Sequence, residues 1–140
     1  MNLYFAYGSN MWDRQMGMRC PESKKLGIAR LSGYRWIITT RGYANVVESG
    51  LDEVEGVLFE ISDSDEASLD KYEGVASGSY DKAKLLVMMG NEKVEALVYL
   101  DPIVEEGAPR EEYIHRINSG LADAMLSDDY VAQVRKFIPA

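Results

Sequence analysis

With 140 residues, 46% of them hydrophobic, and a formal net charge of −8, the chain has the length of a single domain able to bury its own core. The acidic balance argues against a nucleic-acid partner, whose phosphates require a basic surface. Cys20 and His115 are the only residues of their types, which excludes an intrachain disulfide, a cysteine-based metal cluster and a His-rich metal site. Residues 1–140 read as one domain without repeats or linkers. No basic-then-apolar leader and no run of membrane-spanning length is visible, so a soluble, cytoplasmic protein acting on a small molecule is expected. The charge is uneven: residues 1–45 carry about +5 and the remainder about −13. Arg14, Arg19, Lys24, Lys25, Arg30, Arg35 and Arg41 would bias a small anion toward that end.

Residues 3–7 form an apolar, aromatic-rich run of strand length that stops at Gly8-Ser9-Asn10. Residues 11–18 read as a short helix, with Ser9 or Asn10 placed to cap it. A strand, a small-residue loop and a helix start together present unpartnered N–H groups to an anion, and Gly8 permits close backbone approach. The same pattern also arises when Ser9 and Asn10 do nothing but cap.

Residues 25–30 and 34–39 read as two strands, with Gly33 as a bend or bulge, and Arg41-Gly42 as a turn. Residues 43–48 form another short strand containing Asn45, followed by a β-rich run over 54–61, where Gly56 marks a bulge or close approach. Ser62 and Ser64 are candidate N-caps for a helix over 64–73, with Leu69 and Tyr72 on one face and Gly74 as its left-handed stop. Residues 80–89 and 93–100 form a hairpin around Gly90-Asn91. Pro109 suits the first helical position before the stripe of Tyr113, Ile114, Ile117, Leu121 and Ala124. Ser127 caps a last helix carrying Tyr130, Val131, Val134 and Phe137. Strands outnumber helices and cluster centrally, so the class is α+β, a small mixed sheet with flanking helices.

Glu73 stands out among the carboxylates. It ends a helix, where the dipole presents negative charge, and Leu69, Tyr72 and Val75 are apolar neighbours, so its pKa is expected to rise toward the range useful for proton transfer. Tyr80 and Tyr113 read locally as core aromatics, and Ser9 has neither a nucleophile elbow nor a nearby base. His115 falls on a different face from Tyr113 and is expected to meet solvent.

Tyr4-Phe5-Ala6-Tyr7-Gly8-Ser9-Asn10-Met11 resembles the N-terminal signature of the γ-glutamylcyclotransferase (AIG2-like) family. Leu69-Asp70-x-x-Glu73-Gly74, followed by Ser77-Gly78-Ser79-Tyr80, resembles its second signature, and Pro109-x-x-x-Tyr113 its third. The resemblance implies a barrel, a catalytic acid/base at Glu73, a hydroxyl donor at Tyr80 and substrate contacts from Tyr4 to Asn10 and from Tyr113. Tyr99 is a weaker candidate, and an Ala-Asn segment at a comparable place in the family makes Asn45 a candidate neighbour of the site, although its local pattern favours a turn or strand-end residue. The implied reaction needs no cofactor or metal. The substrate's α-amino nitrogen attacks its own γ-amide carbonyl, closing 5-oxoproline and releasing an amine. This chain departs from the family in having Ser127 where a proline is frequent, and in its short connections, which leaves the leaving amine open. The candidates are a γ-glutamyl-amino acid, a γ-glutamyl amine such as a lysine isopeptide, or a carboxylated ligand held without turnover. The last has no use for a proton shuttle. A homodimer is a candidate assembly.

Overall fold

The computed structural model describes residues 2–140. Five strands, β1 (Asn2–Ala6), β2 (Lys24–Ile38), β3 (Ala44–Ile61), β4 (Asp81–Met89) and β5 (Glu92–Leu100), close a barrel in the order β1-β3-β2-β4-β5. β1 pairs antiparallel with β3 and parallel with β5, and the remaining pairs are antiparallel. Four helices flank it: α1 (Asp13–Arg19), α2 (Asp63–Tyr72), α3 (Glu111–Ala124) and α4 (Asp128–Val134). None of them is long and apolar enough to cross a membrane. Continuous burial at Val57, Leu58 and Phe59 of β3, and from Ala96 to Tyr99 of β5, shows that both faces of the sheet are covered there.

The expected pair of strands on either side of Gly33 is one strand, β2, and the runs over 43–48 and 54–61 are likewise one strand, β3. Gly33 does sit at a bulge. The register passes from Ser32 opposite Glu53 to Tyr34 opposite Glu48, and Leu51 in the excursion is fully exposed. A bulge bends a strand without ending its pairing, so two long bent strands wrap the barrel where four short ones were expected. Gly56 stays in regular register opposite Ala29, so its role is close approach: a Cβ there would lie 2.4 Å from Ala6 O.

Helix ends follow local chemistry with two exceptions. Ser62 and Asp65 form a reciprocal capping box on α2, and the Ser127 side chain accepts from Tyr130 N on α4. The Ser127 N–H donates to Glu55 Oε1 at 2.9 Å, a bond that a proline cannot make. Pro109 precedes α3 by two residues, with Arg110 as the N-cap, and so is not the first helical residue. At α1 the N-cap is Trp12, and neither Ser9 nor Asn10 caps it. The Asp13 N–H is instead met by Asp123 Oδ2 from the end of α3, at 2.9 Å.

α3 fixes the loop after β1. Its buried stripe is Tyr113, Ile117, Leu121 and Ala124. Gly120 lies so close to the loop that a Cβ would stand 3.1 Å from Met11 Cβ and 3.2 Å from Trp12 N. On the opposite side, Trp36 Nε1 donates to Tyr7 O at 2.9 Å. The loop is therefore held between α3 and β2.

Candidate active site

α2 delivers Glu73. The capping box starts the helix, Leu69 anchors it in the core, and Glu73 is its C-cap, with its N–H on Leu69 O. Gly74 follows at φ 65°, which an L side chain adopts only at a cost, and turns the chain into a 3₁₀ turn over Val75–Ser77. Glu73 thus stands at a point where the backbone reverses. Its carboxylate makes no protein hydrogen bond or ion pair among the described residues and opens onto a cavity of about 250 Å³.

The cavity is walled by the loop from Tyr7 to Asn10, by Tyr4 of β1, by Tyr80 and Tyr99, and by Tyr113 of α3. The expected site residues Tyr4, Tyr7, Gly8, Ser9, Asn10, Tyr80 and Tyr113 therefore meet Glu73 in one place. Phe5 and Ala6 do not. They are buried in the sheet, with Phe5 against Gly56, because they lie at the point where β1 presses on β3. Asn45 is also outside the wall. Its carboxamide bonds to Asp101 O at 3.0 Å and Ile103 O at 2.9 Å, and accepts from Asp101 N at 2.9 Å. His115 is exposed and packs edge-on against Trp12.

Gly8 is required by contact: a Cβ there would lie 3.0 Å from the Tyr113 hydroxyl. The N–H groups of Gly8, Ser9 and Asn10 donate to no backbone carbonyl among the described residues. The Ser9 and Asn10 side chains, freed from capping, join a buried network. Gln15 Nε2 donates to Ser9 Oγ at 2.7 Å and to Asn10 Oδ1 at 2.9 Å, and Asn10 Nδ2 donates to the Tyr4 hydroxyl at 2.9 Å.

Five of the seven tyrosines that line the cavity divide by where their protons go. Tyr7 donates to Tyr99 O, Tyr80 to Ala44 O at 2.9 Å, and Tyr99 to Asp70 Oδ1 at 2.7 Å. Tyr80, expected as a hydroxyl donor, has its proton engaged by the backbone and turns a lone pair outward. Tyr4 and Tyr113 are acceptors, from Asn10 Nδ2 and from Ala44 N, and keep their own protons. Burial pushes the Tyr113 phenol up to about 12, so it is protonated at neutral pH.

Burial also pushes the Glu73 carboxyl up to about 7, against the pull of the Arg19 and Arg41 guanidiniums. The direction matches the sequence expectation, and the surroundings differ from it. Tyr72 is 60% exposed and lies under Arg19, whose guanidinium is 4.3 Å from the ring centre. Desolvation comes from the cavity walls rather than from an apolar helix face. Of the seven basic residues in the first 45, only Arg19 and Arg41 reach the cavity. Lys25, Arg30 and Arg35 pair with Asp13, Glu53 and Glu106 on the outside.

Sequence reasoning did not single out Arg41, Arg116, Tyr43 or Gln15. Arg41 was visible only as a turn residue and as one of seven cations in the first 45 residues, yet its Nη2 donates to Asp101 Oδ2 at 2.8 Å from the cavity wall. Gln15 has an apolar neighbour in sequence, Met16, and no motif marks it.

The profile described as Gamma-glutamyl cyclotransferase, AIG2-like matches residues 4–120. The chain is 30% identical to proteins named Gamma-glutamylcyclotransferase from Mus musculus and from Homo sapiens, in each case over 98% of this chain and 79% of the relative. A solved structure titled Gamma-glutamyl cyclotransferase superposes with a TM-score of 0.89 at 27% identity, covering 99% of this chain and 89% of that one.

Proposed function

Because this chain belongs to the AIG2-like γ-glutamyl cyclotransferase family, we propose that it converts a γ-glutamyl-amino acid or γ-glutamyl amine to 5-oxoproline and the free amine, with Glu73 as general acid and base. The α-amino nitrogen of the substrate forms a bond to its γ-carbonyl carbon, the carbon–nitrogen bond to the leaving group breaks, and a five-membered lactam results. The attack is intramolecular, so holding the substrate folded supplies much of the acceleration. Two proton movements remain. The α-ammonium gives up a proton before attack, and the leaving nitrogen takes one as it departs. A single carboxylate with a pKa near 7 serves both in turn. The N–H groups of Gly8 and Asn10, which donate to no backbone carbonyl among the described residues, and the Ser9 N–H beside the Tyr113 hydroxyl form the anion-binding surface, for the substrate α-carboxylate or for the developing oxyanion. Tyr4 and Tyr113 donate to substrate oxygens, and Tyr80, with its proton on Ala44 O, accepts from the substrate ammonium.

The observation that carries this reading is the placement of Glu73: desolvated, without a protein hydrogen-bond partner among the described residues, and in the same cavity as the loop. The test is incubation with γ-glutamyl-alanine and with γ-glutamyl-lysine isopeptide, reading 5-oxoproline by mass, with Glu73→Gln alongside. Product from the wild type alone is expected, and the favoured compound names the leaving group. An active Glu73→Gln protein overturns the assignment.

A further inference from the structure

Gln15 is buried behind the loop that walls the cavity, and both hydrogens of its amide are spent on that loop, on Ser9 Oγ and on Asn10 Oδ1. The polarity of this network is fixed from one end. Arg19 Nη1 donates to Asn10 Oδ1 at 3.1 Å, and a guanidinium has only donors, so the Asn10 oxygen faces Arg19 and Gln15. The Asn10 amide nitrogen therefore faces Tyr4 and donates to its hydroxyl at 2.9 Å. A phenol that accepts from a fixed donor directs its own hydrogen elsewhere. At Tyr4 the remaining open side is the cavity that it shares with Glu73.

Resting on the reading of this cavity as a γ-glutamyl cyclotransferase site, we propose that Gln15 is a positioning residue that sets the hydrogen-bond direction through Asn10, so that Tyr4 presents its proton to a substrate oxygen. Arg19 supplies the same direction from the other side, and the two donors together saturate the Asn10 carbonyl. Gln15 never touches substrate. Its amide nitrogen also makes Ser9 Oγ an acceptor, which turns the Ser9 hydroxyl proton toward Tyr113.

Gln15→Glu keeps the shape of the side chain and replaces its two donor hydrogens by acceptor lone pairs. At pH 8 its carboxylate would draw the Arg19 guanidinium off the Asn10 oxygen and the Asn10 amide nitrogen toward itself, so that the Asn10 oxygen turns to Tyr4 and accepts the Tyr4 proton. Turnover of γ-glutamyl-alanine is to be measured for wild type, Gln15→Glu, Tyr4→Phe and the double variant, with thermal melting of each. Gln15→Glu is expected to lower kcat by about 10²–10³-fold, the range for losing one aimed donor, with a smaller change in KM. In the Tyr4→Phe background the same change is expected to add little. An equal loss in both backgrounds overturns the proposal, as does full activity of Gln15→Glu. A neutron structure of the deuterated wild type gives a readout independent of turnover. Deuterium on the Tyr4 oxygen aimed at the cavity is expected, and deuterium aimed at Asn10 overturns the proposal. Absence of 5-oxoproline from the wild type would defeat the proposed reaction, and the neutron result would still decide the hydrogen-bond direction.

Discussion

Arg41 and Asp101 form an ion pair, Nη2 to Oδ2 at 2.8 Å, in which the carboxylate side chain is fully buried and the guanidinium is about a third exposed on the cavity wall. Asn45 clamps the Asp101 backbone from both sides, and Ile103 N donates to Asp101 Oδ1 at 2.9 Å. Asp101 thereby neutralises most of a cation whose charge would otherwise favour the ionised form of Glu73. Asp101→Asn is expected to cost about 2 kcal/mol, the scale for a hydrogen bond to a charged group. It is also expected to move the acidic limb of the activity profile to lower pH. Chemical denaturation and a pH series of kcat/KM check the two effects separately.

Glu73 titrates near neutrality, so as the base it is active only when ionised. The profile of kcat/KM for the free enzyme is expected to rise with pH through about 7. A profile flat from pH 5 to 8 would remove Glu73 from the base role.

The same carboxyl weakens the fold at high pH. Its folded pKa of about 7 lies above the ordinary value of 4.5, so the folded state binds the extra proton between those values. The favourable contribution is complete below pH 4.5 and is lost as pH rises through 7. Glu73→Gln is therefore expected to be more stable than the wild type at pH 8, by on the order of 1–2 kcal/mol after allowing for partial exposure. The difference is expected to vanish near pH 4. Paired thermal melts at the two pH values measure it.

Gly8→Ala places a methyl group 3.0 Å from the Tyr113 hydroxyl, which must shift. A loss of roughly 10²-fold in kcat/KM is expected, because a small misplacement of an aimed group is costly in turnover. The melting temperature is expected to fall as well, since the methyl group meets the buried Tyr113 and Ala44. A fully active Gly8→Ala protein would show that Tyr113 is not held by this contact.

Ser62→Ala removes one half of the capping box on α2 and its bond to Glu22 Oε1 at 2.7 Å. A cost of ~1 kcal/mol is expected, with kcat/KM at 25 °C unchanged because Glu73 lies at the other end of the helix. Denaturation and steady-state kinetics check both halves.

Local chemistry made much of this protein legible. The strand of residues 3–7, the Gly8-Ser9-Asn10 break, the Ser62 and Ser127 caps, the Gly74 stop and the Gly90-Asn91 hairpin each depend on a few neighbouring residues. Backbone freedom, side-chain capping and hydrophobic period are properties of short segments, so the sequence alone located Glu73 at a helix end. The capping expected of Ser9 and Asn10 failed for the same reason. A cap is the local use of such side chains, and their actual partners, Gln15 and Tyr4, are chosen by the packing of the loop between α3 and β2.

Length, charge, element order and the three signature stretches were thus determined by the chain itself. The tertiary structure decided which residues share the cavity. β1 lies between β3 and β5 because of hydrogen bonds to residues more than 50 positions away, and no local period encodes such a partner. That closure brings Arg19 and Arg41 to Glu73, excludes Phe5 and Ala6 from the wall, and assigns the protons of Tyr7, Tyr80 and Tyr99 to carbonyls and a carboxylate. Hydrogen-bond direction is set by what faces each hydroxyl in three dimensions, and only the folded arrangement supplies those neighbours.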